Sequence, residues 1–216
     1  MIDRLQYISQ PSAEGSHLAS IRKALEAGCR WIQLRIKDEP AERILPQGQQ
    51  AAELCRQFGA RLIINDHPDI AVKVNAYGLH LGLDDMPVPE ARKLTGKQLV
   101  IGGTANTLRD IEQRVAEGVD YIGLGPFRFT TTKKKLSPIL GIEGYTRIME
   151  QVRQRGIQVP VIAIGGIEAA DIPAIMTTGI YGVALSGAIT RSTNGQVLVK
   201  EIVQSLGKPL HSSINH

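Results

Sequence analysis

The chain has 216 residues and a formal net charge of +4; 43% of its residues are hydrophobic, 21% charged and 4% aromatic. This length and hydrophobic content suit one globular domain. The basic residues are dispersed and the aromatic residues are too few for the stacking surfaces of single-strand nucleic-acid binders, which argues against nucleic acid as a partner. No apolar run reaches the ~20 residues that span a bilayer, so no membrane partner is expected.

The ends and the cysteines of the chain complete this first description. The first residues run directly into a predicted strand and leave no room for a signal peptide, so a cytoplasmic location is expected. Cys29 and Cys55 belong to no CxxC pair or Cys/His cluster and are expected to be buried free thiols. Residues 209–216 are polar and lack periodicity, which predicts a frayed tail after a single domain of residues 1–208.

Short apolar runs alternate with longer amphipathic runs along the chain, a pattern typical of βα units on a parallel sheet. It predicts strands at Leu5–Ser9, Trp31–Lys37, Arg61–Asn65, Tyr77–Leu81, Leu99–Gly102, Tyr121–Gly125, Val161–Gly165 and Tyr181–Leu185. It predicts helices at His17–Ala27, Glu42–Phe58, Ile70–Val74, Pro89–Leu94, Thr107–Glu117, Glu143–Arg155, Glu168–Thr178 and Val197–Leu206. Eight strands favour a single closed (β/α)8 barrel, because an open doubly wound sheet usually has about five or six.

The second predicted strand ends in an amide and two cations, Gln33, Arg35 and Lys37. Side chains alternate across a strand, so these three share one face and the apolar residues between them share the other. If the apolar face packs on the helices, the polar face points into the mouth of the barrel, where this fold carries its chemistry. Two inward cations without a carboxylate on the same strand indicate an anion site; the alternative is an exposed charged face.

Polar residues also follow the third, fourth and fifth strands. Carboxylates stand in Asn65-Asp66 and in Asp84-Asp85, and at adjacent strand ends they could hold Mg²⁺, which prefers oxygen ligands. Alone, the first pair could cap the next helix and the second could be only a loop. The glycines of the fifth strand are expected to admit a ligand to the backbone, and Thr104 offers a hydroxyl group. Beside the two cations, these residues favour a metal–pyrophosphate site.

The last three strands lead into segments that suit phosphate groups. A long loop after the sixth strand carries Thr130–Thr132 and Lys133–Lys135, which supply hydroxyl groups and positive charge, although a flexible surface run is the alternative. Glycines in Gly165-Gly166 and after Ser186 let backbone N–H groups surround a phosphate. The sequence contains no nucleophile–His–carboxylate set and no Zn²⁺ spacing, which argues against a hydrolase.

Taken in order, these motifs resemble those of the thiamine phosphate synthase family, from Gln33 to Ile189. The matching motifs are QLRxK at Gln33–Lys37, Asn-Asp at Asn65-Asp66, HLGxxD at His80–Asp85, GPxxxTxTK at Gly125–Lys133 and AIGGI at Ala163–Ile167. The resemblance implies that Mg²⁺ is bound by Asp66 and Asp85. It implies that a pyrimidine pyrophosphate is bound by Gln33, Arg35, Lys37, Asn65, Thr104 and Lys133. It implies that a thiazole phosphate is bound by Thr130, Thr131, Thr132, Gly165, Gly166, Ser186 and Gly187.

The resemblance further implies a Mg²⁺-dependent transferase. Such an enzyme condenses hydroxymethylpyrimidine pyrophosphate with hydroxyethylthiazole phosphate and releases thiamine phosphate and pyrophosphate. The attacking thiazole nitrogen carries no proton, so no general base is needed. The aminopyrimidine can delocalise a developing cation, and the resemblance implies a dissociative path. Catalysis then falls to Arg35, Lys37 and Lys133, which stabilise the departing pyrophosphate.

Some residues depart from the family pattern. Leu83 stands where the family often has Gln, Asn106 where it has His, and Thr104 where it has Ser, which leaves details of the pyrimidine pocket open. One alternative is a thiazole tautomerase-like isomerase on the same barrel, but its typical His falls at Asn106. The other is a non-catalytic phosphate-binding barrel protein, against which the intact acidic and basic motif residues argue. A homo-oligomer is compatible with the sequence, which leaves the oligomeric state open.

The loop after the sixth strand generates a first prediction. Lys133→Ala should lower kcat and raise the fraction of the pyrimidine substrate lost to hydrolysis, because Lys133 is expected to close over the phosphate groups and exclude water. Lys135→Ala should change little, since that side chain is expected to be a solvated neighbour. Chromatographic assay of thiamine phosphate and of the hydrolysed pyrimidine measures how the pyrimidine substrate divides between transfer and hydrolysis. Identical behaviour of the two variants would mean that the run is only a charged surface loop.

Overall fold

The computed structural model describes residues 2–12, 15–129 and 138–207. Within these ranges, eight strands alternate with nine α-helices. The strands are β1 (Leu5–Ile8), β2 (Trp31–Leu34), β3 (Arg61–Asn65), β4 (Gly78–Leu81), β5 (Val100–Ala105), β6 (Tyr121–Leu124), β7 (Val161–Ala163) and β8 (Gly182–Leu185). The helices are α1 (His17–Glu26), α2 (Ala41–Gln57), α3 (Pro68–Lys73), α4 (Val88–Thr95), α5 (Leu108–Glu117), α6 (Gly141–Gln154), α7 (Ile172–Thr177), α8 (Gly187–Thr190) and α9 (Gly195–Leu206).

The strands form one closed parallel barrel in chain order. Each strand pairs in parallel with the next, and β8 returns to pair with β1. The predicted (β/α)8 barrel is therefore confirmed. Among the described residues, none of the helices combines the length and the apolar character that crossing a bilayer requires.

Several element ends differ from the sequence prediction, and local hydrogen bonding accounts for some of them. β2 ends at Leu34 rather than at residue 37, and the N–H group of Arg35 donates to Ser9 Oγ at 3.1 Å instead of to a neighbouring strand. The predicted helix at 168–178 is a 3₁₀ turn, Ala169–Asp171, followed by α7. The short helix α8 was not predicted, because four residues are too few to show a helical period.

Strand side chains divide between two cores. Ile32 and Leu34 face the helices, whereas Trp31, Ile63 and Tyr121 fill the inside of the barrel near the amino-terminal halves of the strands. The rings of Trp31 and Tyr121 meet edge to face, with centroids 4.9 Å apart. The interior is therefore apolar at one end, which leaves its carboxyl-terminal end to polar residues.

Two glycines of β5 make room for protein side chains. A Cβ atom on Gly102 would lie 2.1 Å from Cζ of Tyr121, and one on Gly103 would lie 2.8 Å from Cδ of Arg114. A side chain at either position would force its neighbour to move. The space beside these glycines, which the sequence suggested for a ligand, is thus filled by the protein itself.

Arg114 of α5 is buried and ties the carboxyl ends of β4 and β5 together. Its Nε atom donates to the carbonyl oxygen of Thr104 at 3.2 Å, Nη2 to that of Gly82 at 2.7 Å, and Nη1 to Glu117 Oε2 at 2.7 Å. The N–H group of Gly82 donates in turn to Asp85 Oδ2 at 2.6 Å. Arg114 thereby fixes the loop that carries Asp85.

Arg114→Met should lower the free energy of unfolding by roughly 3–5 kcal/mol, because it leaves a partly buried carboxylate and two carbonyl groups without their donor. Arg155→Met is the matched control: Arg155 contacts Glu112 at 2.5 Å in an exposed ion pair, and losing it should cost at most about 1 kcal/mol. Urea unfolding of both variants measures the difference. Equal losses in free energy of unfolding for the two variants would show that Arg114 does not stabilise the ends of β4 and β5.

Candidate active site

A cavity of about 910 Å³ opens at the carboxyl ends of the strands. Barrel enzymes carry their chemistry at this end. The predicted site residues that line this cavity are Gln33, Arg35, Lys37, Asn65, Asp66, Asp85, Thr104, Gly165, Gly166, Ser186 and Gly187. Thr130, Thr131, Thr132 and Lys133 lie outside the described residues. The fold thus brings together every predicted site residue that the structure describes.

Two carboxyl groups meet on one side of the cavity. Asp66 follows β3 in a left-handed conformation, with φ 65°, and its N–H group donates to the carbonyl oxygen of His80 at 2.9 Å. Its carboxyl group is hydrogen-bonded to that of Asp85 and forms an ion pair with Lys37. Burial, followed by the contact with Asp85, raises the pKa of Asp66 to about 6.

The second carboxyl group of this pair is the stronger acid. Burial raises the pKa of Asp85, but hydrogen bonds from Asp66 and from the Gly82 N–H group outweigh that effect and lower it. The pair therefore concentrates negative charge at one point of the cavity wall, beside a lysine.

Arg35 adds a second cation to this side of the cavity. Burial lowers the pKa of Arg35, while the charges of Asp66 and Asp85 act in the opposite direction. The group remains a guanidinium ion, because arginine does not lose its proton in proteins.

His17 stands beside this cation and was not predicted. Its Nδ1 atom lies 2.9 Å from Ser9 Oγ, the same oxygen that accepts a hydrogen bond from the backbone of Arg35. Burial, and then the charge of Arg35, lowers the pKa of His17. His17 therefore contributes a neutral imidazole to the cavity at neutral pH.

A chain of buried hydrogen bonds crosses the barrel beneath the cavity. Gln33 Nε2 donates to Gln6 Oε1 at 3.3 Å, and Gln6 Nε2 donates to the Tyr121 hydroxyl group at 3.4 Å. His80 lies 3.0 Å from that hydroxyl group through Nδ1 and 3.0 Å from Thr104 Oγ1 through Nε2. Burial lowers the pKa of His80 to about 3, so it is neutral. These hydrogen bonds fix the amide of Gln33 and the hydroxyl group of Thr104 in the cavity floor.

Asn65 is the polar residue of this floor whose hydrogen bonding is incomplete. Its side chain is 5% exposed, lines the cavity, and has an Nδ2 atom without a hydrogen-bond partner among the described residues. A buried donor without an acceptor costs about 1–3 kcal/mol. A ligand that offers an acceptor here would remove that cost.

The opposite side of the cavity is rich in glycine and small residues. Gly165 and Gly166 have φ values of 90° and 73°, and their carbonyl oxygens accept hydrogen bonds from Arg128 at 3.0 and 2.7 Å. Ser186 precedes α8, which begins at Gly187. The first N–H groups of a helix have no carbonyl partner within it, which suits them to a phosphate group.

Other cavity residues escaped the sequence analysis. Besides His17 these include Gln10, Glu168 and Arg191. They lie at the start of a helix or in loops where polar residues are ordinary, and no motif marks them. Only the closing of the barrel, which brings β8 beside β1, shows that they share one cavity.

The fold and this cavity define a (β/α)8-barrel enzyme that binds a small-molecule substrate. Residues 5–189 match the sequence profile of the family described as "Thiamine monophosphate synthase". The chain belongs to this family, as the resemblance of its motifs indicated.

Individual relatives match over almost their whole length. A protein of Bacteroides fragilis named thiamine-phosphate synthase is 51% identical over 199 residues, which cover 92% of this chain and 98% of that protein. One of Flavobacterium psychrophilum with the same name is 48% identical over 206 residues, covering 95% and 100%. The solved thiamine phosphate pyrophosphorylase of Pyrococcus furiosus superposes with a TM-score of 0.81 at 30% identity, covering 94% of this chain and 97% of that one.

Proposed function

We propose that a Mg²⁺ ion held by Asp66 and Asp85 takes part in the reaction of this chain, and that the reaction takes place in the cavity at the strand ends. The chain is a transferase of thiamine biosynthesis, a thiamine-phosphate synthase that joins the pyrimidine and thiazole substrates and releases pyrophosphate. One observation carries the proposal: the carboxyl groups of Asp66 and Asp85 are in hydrogen-bonding contact beside Arg35 and Lys37.

The donor set fits a hard divalent cation. Mg²⁺ prefers oxygen ligands and is commonly held by one or two carboxylates together with waters and substrate phosphates. Two ionised carboxylates in contact repel each other, so a cation beside them is favourable. In the structure, Lys37 partly fills this role through its ion pair with Asp66. In the described part of the chain, no group of three or more His, Cys, Asp or Glu side chains could hold a metal ion, so the proposal rests on two carboxylates. When bound, the ion would supply positive charge to the departing pyrophosphate.

The side chains around the carboxylates suit a pyrimidine pyrophosphate. Arg35 and Lys37 hold positive charge where negative charge develops on the leaving group, which is the main electrostatic requirement of this reaction. Gln33 and Thr104, fixed by the buried hydrogen-bond chain, are oriented to bind the polar edge of the ring. The unpartnered Nδ2 atom of Asn65 offers a further donor to the same substrate.

The opposite side of the cavity suits the thiazole phosphate. Gly165 and Gly166 follow β7 and Ser186 and Gly187 follow β8, whereas the carboxylates follow β3 and β4. The charged groups of the two substrates thus bind across the barrel mouth, and the thiazole nitrogen and the pyrimidine carbon meet between them. Holding two reactants in line contributes a large part of the rate of such bimolecular reactions.

The roles of Thr130, Thr131, Thr132 and Lys133 remain proposals from their motif. The threonines would bind the thiazole phosphate and Lys133 the pyrophosphate. We also assign the enzyme to the cytoplasm, because its substrates are multiply charged and cross membranes poorly.

Neither alternative function has an observation in its favour. The relatives above, about 50% identical to this chain, are named synthases rather than tautomerases or non-catalytic barrels. Two of the three departures from the family pattern, Leu83 and Asn106, also lie outside the cavity. Leu83 is 41% exposed and Asn106 donates through Nδ2 to the carbonyl oxygens of Gly125 and, at 3.3 Å, Ala105; neither residue lines the cavity.

Leu83→Gln and Asn106→His should each change the KM for the pyrimidine substrate by no more than about threefold, since neither residue lines the cavity. Asn106→His should in addition lower Tm, because an imidazole cannot donate to both carbonyl groups from one atom. Steady-state kinetics and thermal unfolding measure the two effects. A tenfold gain in kcat/KM for either variant would mean that this enzyme prefers an altered pyrimidine.

Asp66→Asn and Asp85→Asn should each lower kcat about 10²–10³-fold, a typical effect of removing one electrostatic partner of the transition state. Both variants should fold: asparagine tolerates the left-handed conformation of Asp66, and an amide oxygen still accepts from Gly82 N–H at position 85. Asp84→Asn, an exposed neighbour that does not line the cavity, is the control and should stay active. Near-normal rates for both variants under limiting Mg²⁺ would refute the metal assignment.

A further inference from the structure

Arg191 is a cation on the phosphate side of the cavity to which no motif assigns a role. It ends α8, and its N–H group donates to the carbonyl oxygen of Gly187 at 2.9 Å. Its guanidinium group lies over the α-carbon of Gly187, since a Cβ atom built there would be 2.1 Å from Nη1 and 2.8 Å from Cζ. Arg191 also lines the same cavity as the loops after β7 and β8.

The guanidinium group of Arg191 has a weak anionic partner. Its Nη2 atom lies 3.4 Å from Glu168 Oε1, and the two side chains are 66% and 55% exposed. Charge-assisted hydrogen bonds are usually about 2.7–2.9 Å long, and exposed ion pairs contribute little to stability. Among the described residues that follow β7 and β8 and line the cavity, Glu168 and Arg191 are the charged ones.

We propose that Arg191 binds the phosphate group of the thiazole substrate, and that Glu168 holds its guanidinium group over Gly187 while that phosphate is absent. This inference rests on the proposed function of the site. It adds a charged side chain to the phosphate subsite proposed above, whose described members are Gly165, Gly166, Ser186 and Gly187.

The chemistry of the guanidinium, the carboxylate and the phosphate supports a replacement of Glu168 by the phosphate as the partner of Arg191. A phosphate dianion carries more charge and more acceptor oxygens than the carboxylate of Glu168, and the planar guanidinium fork can donate two parallel hydrogen bonds to it. Because position 187 is glycine, the guanidinium group lies close to the backbone of the loop after β8, next to Ser186. Arg191 should therefore determine the preference for a phosphorylated thiazole over the free alcohol.

Calorimetric titration with the thiazole phosphate tests the inference directly, because it needs no turnover. Arg191→Ala should weaken binding roughly tenfold, the effect of losing one charge-assisted contact, and Arg191→Lys should recover part of it. Glu168→Gln should tighten binding, since it removes the competing anion. Affinity for the unphosphorylated thiazole alcohol and the KM for the pyrimidine substrate should stay the same in all three variants.

Arg109→Ala is the matched control, since Arg109 is exposed, carries the same charge and does not line the cavity. Arg191→Gln provides a second variant that keeps part of the side-chain stem. If Arg191→Ala and Arg191→Gln bind the thiazole phosphate within twofold of the unmodified protein, or if both thiazoles weaken equally, the inference is wrong. If the unmodified protein makes no thiamine phosphate, the proposed function is wrong. That result is distinct from a failure of the Arg191 inference, which the binding measurements detect.

Discussion

The closed barrel imposes one constraint on which the site depends: a polar side chain that points inside has no bulk water to bind. Burying a polar group without a partner costs about 1–3 kcal/mol in proteins, so each such group must find a partner in the protein or in a ligand. Gln33, His80 and Thr104 find theirs through Gln6 and Tyr121. Among the described residues, Asn65 Nδ2 and Trp31 Nε1 do not, and of the two only Asn65 lines the cavity. A ligand that accepts a hydrogen bond from Asn65 would remove this cost.

The barrel also determines how charged groups are distributed around the cavity. The cavity places two carboxylates and two cations after β2, β3 and β4, and glycine-rich backbone with a single ion pair after β7 and β8. In the proposed function, a metal and a pyrophosphate would bind on the first side, and a phosphate monoester on the second. The chemistry then requires no general base, because the attacking nitrogen is unprotonated. Preorganised charge and alignment of the two rings supply the catalysis.

Much of this arrangement could be predicted from the sequence. Alternation in QLRIK placed Gln33 opposite the apolar residues of β2, and the structure has Ile32 and Leu34 against the helices. Strand-end residues could be assigned to one mouth because parallel strands end together. Bonds between distant parts of the chain could not be predicted in this way. No periodicity shows that Arg114 reaches Gly82, or that Gly102 leaves room for Tyr121.

The most direct test of the account is the reaction itself. The purified protein is incubated with the pyrimidine pyrophosphate, the thiazole phosphate and Mg²⁺, and thiamine phosphate and pyrophosphate are measured together. We expect the two products in equal amounts, and their loss when a chelator removes the metal. No product above background from folded protein would contradict the assigned reaction, and equal rates with and without the chelator would contradict the metal.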